Sequence, residues 1–357
     1  MPENYIGLMC GTSLDSLDIS LCSFDKPKKV KFFKSYKIKQ PLKDKINECK
    51  SHRTNKKIFN DTDEIVTEFI TRSLSKFIES SGSQNIEAIG FPGITIVHKP
   101  DKRVSVTLGN PKSIANACKL KVVADFRLTD MNYGGQGAPL APYFHEFISK
   151  GENCFINFIN LGGFANLTYL SNGRLMAFDT GPANYLIDLV SKLYFKMDYD
   201  KNGSLARKGK INEGALLSML SDKYFYQNPP KSTGFERFNM KWIKKFKDKY
   251  RMNRYSLIAT LTQLTSISVS DAINSSDLDS NEIFFGGGGS KNLAIKQEIL
   301  KRTGLNEIKN LPWGLDFKNL ESSAFAWLAM QRINNKSISN GYITGAKRSR
   351  RLGIIYR

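Results

Sequence analysis

The sequence predicts an α/β protein built as two similar halves. Strand-like apolar runs alternate with segments of helical periodicity along its 357 residues. Each half opens on a β-hairpin with a glycine turn, and the length exceeds one ordinary hydrophobic core.

Composition narrows the function classes first. Hydrophobic residues make up 41% of the chain, ample for burial, yet no apolar run reaches the roughly 18 residues of a membrane span. Met1-Pro2-Glu3-Asn4 lacks the basic-then-apolar character of a secretory leader. The expectation is a cytoplasmic protein with no membrane partner. Cys10, Cys22, Cys49, Cys118 and Cys154 are scattered and form no C-x-x-C pair, which argues against a disulfide framework and a zinc cluster. The net charge of +20 raises nucleic-acid binding, but the basic residues are dispersed and carry no RNA-binding aromatic motif, zinc finger or basic zipper. In Lys241–Lys247, Trp242, Ile243 and Phe246 fall at helical spacing between lysines, the pattern of an amphipathic helix with a solvated face. No nucleic-acid partner is expected.

The first strand pattern, Tyr5–Cys10, breaks at Gly11-Thr12-Ser13-Leu14-Asp15-Ser16-Leu17-Asp18 and returns through the alternating Ile19–Phe24, giving a hairpin around a polar turn. The turn gathers backbone N–H groups, hydroxyls and carboxylates, a set that suits a phosphate and Mg²⁺; an ordinary Gly/Ser/Asp turn has the same composition. It is not a serine-hydrolase elbow, because Asp15 stands at the fifth position of G-x-S-x-G. Residues 31–39 read as a strand, 42–49 and 61–81 as helices, and 86–91 as a strand ending at Pro92-Gly93. A further strand and helix follow at 103–108 and 111–117. Residues 120–127 read as a strand that runs into Asp130 and Gly134-Gly135-Gln136-Gly137. Ala138-Pro139-Leu140 then supplies no third glycine, so there is no dinucleotide fingerprint. A loop holding Arg127, Asp130 and Gln136 suits a hydroxylated, carboxylated ligand, and a hinge between domains is the alternative. Residues 142–148 read as helix.

The second half repeats the outline. Residues 155–161 enter Gly162-Gly163, 164–170 leave it, and 175–178 lead into Asp179-Thr180-Gly181-Pro182. This stretch reads as strand, turn and Pro-started helix. An Asp at the strand end accepts a proton, and free N–H groups at the helix start hold an anion. A helix cap and a turn glycine account for the same residues. An aspartic-protease reading of Asp179-Thr180-Gly181 fails because a second such motif is absent. Helices are expected at 187–195, 213–220, 240–246 and 256–274, and then Glu282–Phe285 delivers Gly286-Gly287-Gly288-Gly289-Ser290-Lys291-Asn292. Ser290 before Lys291 and Asn292 after it exclude a Walker A loop. Four glycines permit close backbone approach to a flat or anionic ligand.

Gly11–Asp15, Phe178–Pro182 and Phe285–Ser290 together resemble the two phosphate elements and the adenosine element of the sugar kinase, heat-shock and actin superfamily. That resemblance implies a two-domain actin-like (ribonuclease H-like) α/β fold with an interdomain cleft. More narrowly, the chain is similar to the anhydro-N-acetylmuramic acid kinase family through Asp125–Arg127, Gly134–Leu140, Phe144-His145, Asn160–Asn166, Lys231-Ser232-Thr233-Gly234, Glu321–Ala329 and Thr344-Gly345-Ala346. The resemblance implies domains at 1–126 and 127–357, a homodimer, ATP and Mg²⁺ as cofactors, and anhydro-N-acetylmuramic acid as substrate. The implied reaction opens the 1,6-anhydro ring with water and phosphorylates O6, a step of murein recycling. By motif match Asp179 is the base that activates water, and Glu321 lies beside that water. Asp15 organises Mg²⁺, and the turn from Gly11, Thr12 and Ser13 through Leu14, Asp15, Ser16, Leu17 and Asp18 holds phosphates. Gly162, Gly163, Gly286, Gly287, Gly288 and Gly289 hold the nucleotide, and Thr95, Arg127 and Asn160 the sugar. Phe91-Pro92-Gly93-Ile94 stands where the family usually has Ser-His-Gly-Gln. A non-catalytic or altered-specificity nucleotide- and sugar-binding relative is therefore the competing expectation.

Overall fold

The computed structural model describes residues 3–11, 13–52, 55–151, 155–229, 231–338 and 341–357. Thr12 of the expected phosphate turn and Cys154 lie outside the described residues. The chain begins with β1 (Asn4–Cys10), β2 (Ser16–Ser23), β3 (Lys29–Lys37), α1 (Gln40–Ser51), α2 (Lys56–Ser81) and β4 (Ile86–Gly90). A hairpin of β5 (Ile94–Lys99) and β6 (Val104–Leu108), α3 (Pro111–Cys118), β7 (Lys121–Ala124), α4 (Phe126–Asn132) and α5 (Ala141–Gly151) follow. Next come β8 (Asn157–Leu161), β9 (Phe164–Ser171), β10 (Arg174–Pro182), α6 (Asn184–Val190), α7 (Glu213–Leu220), α8 (Met240–Lys249) and α9 (Arg254–Asn274). The chain closes through β11 (Glu282–Gly286), α10 (Leu293–Thr303), β12 (Asn306–Glu307), α11 (Leu320–Ile333), α12 (Gly341–Thr344) and β13 (Ile354–Tyr356).

These elements form two compact α/β units, Met1–Phe147 with Asn310–Arg357, and Ile148–Lys309. The units differ from the expected division at 126/127. α4 stays with the first unit, and the C-terminal segment returns to it because α11 packs on β1, β2 and β4. A sequence boundary drawn at one point has no means of registering a chain that comes back.

The first unit's sheet runs β13-β7-β4-β1-β2-β3, and the second unit's runs β10-β9-β8-β11-β12. In each, the first strands form an antiparallel meander and the later ones add parallel to the meander's first strand. The repetition expected from the two hairpins is thus present as topology, with the β5–β6 hairpin inserted only in the first unit and β13 added at its edge. β3 is the other edge, and it exposes Lys29, Lys31, Lys34 and Lys37. Lysines on such an edge oppose edge-to-edge pairing. α8 buries Ile243 and Phe246 and exposes Lys241, Lys244, Lys245 and Lys249, the solvated face its spacing predicts.

Glycine decides how α11 meets the first sheet. Gly7 on β1 and Gly90 on β4 are register partners. A Cβ on Gly7 would lie 1.9 Å from the Ser322 carbonyl oxygen, and one on Gly90 would lie 2.0 Å from that of Phe325. The helix backbone therefore rests directly on the strands. A buried polar seam fixes its rotation: the Ser20 and Ser322 hydroxyls are 2.5 Å apart, and the Cys22 thiol donates to Ser323 Oγ at 3.4 Å. The remaining core gathers Ile6, Leu8, Ile19, Phe77 and Ile89 in this unit, and Leu161, Leu167, Phe178, Val190 and Leu261 in the second.

The expected strand at 120–127 ends at Ala124. Asp125 takes φ 55°, in the left-handed region, and turns the chain into α4, so Arg127 is carried by a helix. The Phe91–Ile94 run is core: Phe91 and Ile94 are each 2% exposed. Among the described residues no helix is long and apolar enough to cross a membrane.

Candidate functional site

In the second unit, cross-strand register assembles residues that the sequence scatters. Asp179 on β10 pairs with Asn166 on β9, Asn166 with Asn160 on β8, and Asn160 with Gly286 on β11. Register partners project from the same face of a sheet, so this row carries a carboxylate, two amides and the first of the four glycines. Its side chains are half-buried, whereas Leu161, Ala165, Leu167 and Phe178, at alternating positions, are buried in the core. Between Asp179 and Gly181 the register shifts, leaving Thr180 as the extra residue of a bulge. Such a bulge re-aims the strand next to the carboxylate.

Asp179 is held on three sides. Its backbone N–H donates to the Lys231 carbonyl at 3.1 Å, its carbonyl accepts from the Tyr224 hydroxyl at 2.5 Å, and its Oδ2 accepts from the Thr233 N–H at 3.0 Å. Burial pushes the carboxyl up to about 6; the Thr233 hydrogen bond opposes this and the nearby Glu236 charge adds to it. A carboxylate in that range is a competent proton acceptor near neutral pH.

The helix start after Asp179 differs from the expected anion site. Asp179 lies within β10, and the N–H groups of Ala183, Asn184 and Tyr185 donate to the carbonyls of Gly163, Gly162 and Gly163 at 2.9, 3.1 and 3.0 Å. They are spent on the β8–β9 turn. Asn184 Nδ2 completes that link by donating to the Leu161 and Gly162 carbonyls, both at 2.9 Å. The glycine run closes over the same turn. Gly287 sits at φ 75°, where a Cβ would lie 2.4 Å from Asn160 Oδ1, and a Cβ on Gly289 would lie 2.4 Å from Asn184 Nδ2. Gly288 is exposed and a Cβ there would meet nothing within 4 Å, so its backbone faces open space.

In the first unit the turn after β1 leaves Gly11, Ser13 and Asp15 exposed, with Leu14 and Leu17 buried beneath. Asp15 is ion-paired with Lys43 at 2.7 Å, while the half-buried Asp18 accepts from Ser16 Oγ at 2.9 Å. Glu321 enters on the first turn of α11, held by the glycine contacts at Gly7 and Gly90. Burial raises the Glu321 pKa, the Arg127 charge draws it down, and Asp18 pushes it further up. Arg127 Nη1 donates to the Gly137 carbonyl at 3.0 Å, and its Nε is buried without a partner among the described residues. Burial lowers its pKa against the pull of Glu321 and Asp130.

A model of the family "Anhydro-N-acetylmuramic acid kinase" matches residues 3–357. The chain belongs to the anhydro-N-acetylmuramic acid kinase family. The Coxiella burnetii protein of that name is 36% identical over 368 residues, covering 99% of this chain and 97% of the relative. The Sulfurovum protein is 36% identical over 363 residues, covering 99% of each chain. The Sulfurimonas denitrificans protein is 35% identical over 370 residues and covers both chains fully.

Of the residues expected from the family likeness, the second unit brings together Asp179, Asn160, Gly162, Gly163, Gly286, Gly287 and Gly289, with Gly288 open beside them. The first unit brings Arg127 and Glu321 within electrostatic reach of each other, and Asp18 is the turn carboxylate that acts on Glu321. Thr95 lies on β5 opposite Thr107, just before a register shift. Asp130 is not a ligand group of the kind expected. It is fully buried and ion-paired with Arg350, accepts from Thr344 Oγ1 at 3.0 Å, and takes the Gly137 N–H at 2.8 Å. Neither the family motif nor residue spacing marks Asn166, Tyr224 or Glu236 as neighbours of Asp179. Asn166 and Thr233 do fall in quoted family blocks, but only register and hydrogen bonding give them a place.

Proposed function

We propose that this chain is an ATP-dependent kinase that hydrolytically opens the 1,6-anhydro ring of anhydro-N-acetylmuramic acid and phosphorylates O6, giving N-acetylmuramic acid 6-phosphate and ADP. The observation that carries the reading is the row Asp179–Asn166–Asn160–Gly286 in a chain of this family, because it sets a carboxyl raised to about 6 in line with the glycine run. We read both units as actin-like, ribonuclease H-like domains, on the ground that each repeats the meander-then-parallel strand order.

In the proposed step Asp179 takes a proton from water. The water oxygen bonds to the anomeric carbon, the bond from that carbon to O6 breaks, and O6 takes the γ-phosphoryl group as ADP leaves. Asn160 and Asn166 offer amide donors and acceptors on the face that carries the base. The open backbone at Gly288 and the spent, rigid turn at Gly162-Gly163 fit a nucleotide that lies against peptide rather than side chain. In the first unit Arg127 and Thr95 are assigned to the sugar's polar groups, Glu321 to orienting water, and the Gly11–Asp18 turn, exposed at Gly11, Ser13 and Asp15, to phosphates.

The carboxylate at Asp15 fits Mg²⁺, which is held by one or two carboxylates, phosphates and its own waters. Its ion pair with Lys43 lies at the surface, where such pairs contribute about 0–1 kcal/mol and open readily. When bound, the ion neutralises charge on the phosphates. A coupled assay of ADP release with and without the anhydro sugar tests the function. Release that the sugar does not stimulate overturns it.

A further inference from the structure

The segment between α7 and α8 contains Lys231–Glu236, and the proposed reaction assigns it no role. Its hydrogen bonds converge on one residue. The Lys231 carbonyl receives the Asp179 N–H, and the Thr233 N–H donates to Asp179 Oδ2 at 3.0 Å. Among the described residues, no hydrogen bond reaches Asp179 Oδ1. The segment is anchored at both ends. On one side Tyr224 places its hydroxyl on the Asp179 carbonyl, and Lys231 Nζ donates to the Phe225 carbonyl at 3.3 Å. On the other, Asp222 gathers the Tyr224 N–H, the Arg237 guanidinium and Trp242 Nε1, while Phe238 is buried in the core. Gly234 lets the Glu236 carboxylate fold back, since a Cβ at 234 would lie 2.4 Å from Glu236 Oε2.

We infer that Lys231–Glu236 is a positioning strap for the base: the Thr233 N–H fixes Oδ2, Oδ1 is left as the oxygen that takes the proton, and the carboxylate of Glu236 is placed on the strap to act on its charge. This rests on the reading of Asp179 as base. Two hydrogen bonds to the backbone and one to the carboxyl oxygen restrain both the position and the rotation of the side chain. That is the pre-organisation a general base needs. Glu236 acts oppositely to the Thr233 N–H, because a negative neighbour favours the protonated carboxyl and a donor favours the charged one. The charged or titratable groups that act on Asp179 are Glu236 on the strap and Tyr224 before it, while Lys231 Nζ lies over the Phe178 and Tyr224 rings and Arg237 against the Tyr224 ring.

The test follows the Thr233 amide by ¹⁵N–¹H NMR of the full chain from about pH 4.5 to 8, the range that brackets a raised carboxyl. Its shift is expected to titrate with a midpoint of about 6, to become flat in Asp179→Asn, and to titrate at lower pH in Glu236→Gln. The acidic limb of sugar-dependent ADP release moves to lower pH in the same variant. A Thr233 amide that does not titrate, a titration that survives Asp179→Asn, or a midpoint that Glu236→Gln leaves in place overturns the strap. If the amide behaves as expected but ADP release never responds to the sugar, the strap stands and the proposed reaction falls.

Discussion

Asp179 on β10 and Asn160 on β8 lie in one cross-strand row, joined through Asn166 on β9. Neighbours in such a row stand about 5 Å apart, so the two side chains share a face about 10 Å from end to end. The base candidate and an amide that abuts the glycine run are therefore positioned by sheet hydrogen bonds rather than by a loop. This rigidity underlies the expectations for activity.

Asp179→Asn is expected to abolish sugar-dependent ADP release and leave nucleotide binding intact, measured by the coupled assay and by calorimetric titration of the nucleotide. In the unchanged protein kcat/KM should rise with pH through a limb near 6, because the base works only when unprotonated.

The same substitution should raise stability at neutral pH. A carboxyl with a raised folded pKa favours folding below its unfolded value of ~3.9 and loses that contribution as pH rises through about 6. Replacing it with a neutral isostere removes a penalty of up to about 3 kcal/mol above that window and changes little below pH ~4. Thermal melts at pH 8 and pH 4 should show the gain only at pH 8.

Gly288→Ala is expected to leave the melting temperature unchanged, since a Cβ there meets nothing within 4 Å. If the nucleotide lies against this backbone, affinity drops about tenfold or more, ~1.4 kcal/mol. Gly287→Ala should lose stability as well, because its Cβ would meet Asn160 and Leu161 at a positive φ. Calorimetry and melting curves on the two variants separate contact with ligand from contact with protein.

Gly7→Ala and Gly90→Ala should each destabilise the first unit by about 3 kcal/mol or more, because the added carbon meets α11 backbone that has no rotamer to yield. Urea unfolding reads the loss. A residual fold with α11 displaced should also lose activity, since Glu321 rides on that helix.

Breaking the buried pair by Asp130→Ala is expected to cost about 3–5 kcal/mol, as Arg350 is left charged with 1% exposure. A double replacement of Asp130 and Arg350 by apolar residues should recover much of the loss in chemical denaturation.

Local chemistry made much of this legible from sequence. The Gly11–Asp18 and Gly162-Gly163 turns, the alternating strands around them and the glycine run are encoded within a few residues each. The repeated hairpins foretold the repeated sheet order, and the amphipathic spacing of α8 foretold its solvated lysines. What failed locally failed for tertiary reasons. Residues 120–127 read as one strand until Asp125 adopts a left-handed turn, and the α6 N–H groups read as free until the Gly162 and Gly163 carbonyls take them. Asp130 read as a ligand group until Arg350 arrives from the far end of the chain.

By itself the sequence determined the α/β class and the duplicated plan, and put Asp179 forward as a candidate base, because periodicity, turn residues and short motifs act over neighbouring positions. Only the tertiary structure decided that the C-terminal α11 belongs with the first unit, that Asn166 links Asp179 to Asn160, and that the Thr233 N–H meets a half-buried carboxyl. Those are consequences of strand register, of helix backbone resting on glycine, and of hydrogen bonds between residues distant in the chain. No local pattern records which partner a buried polar group will find.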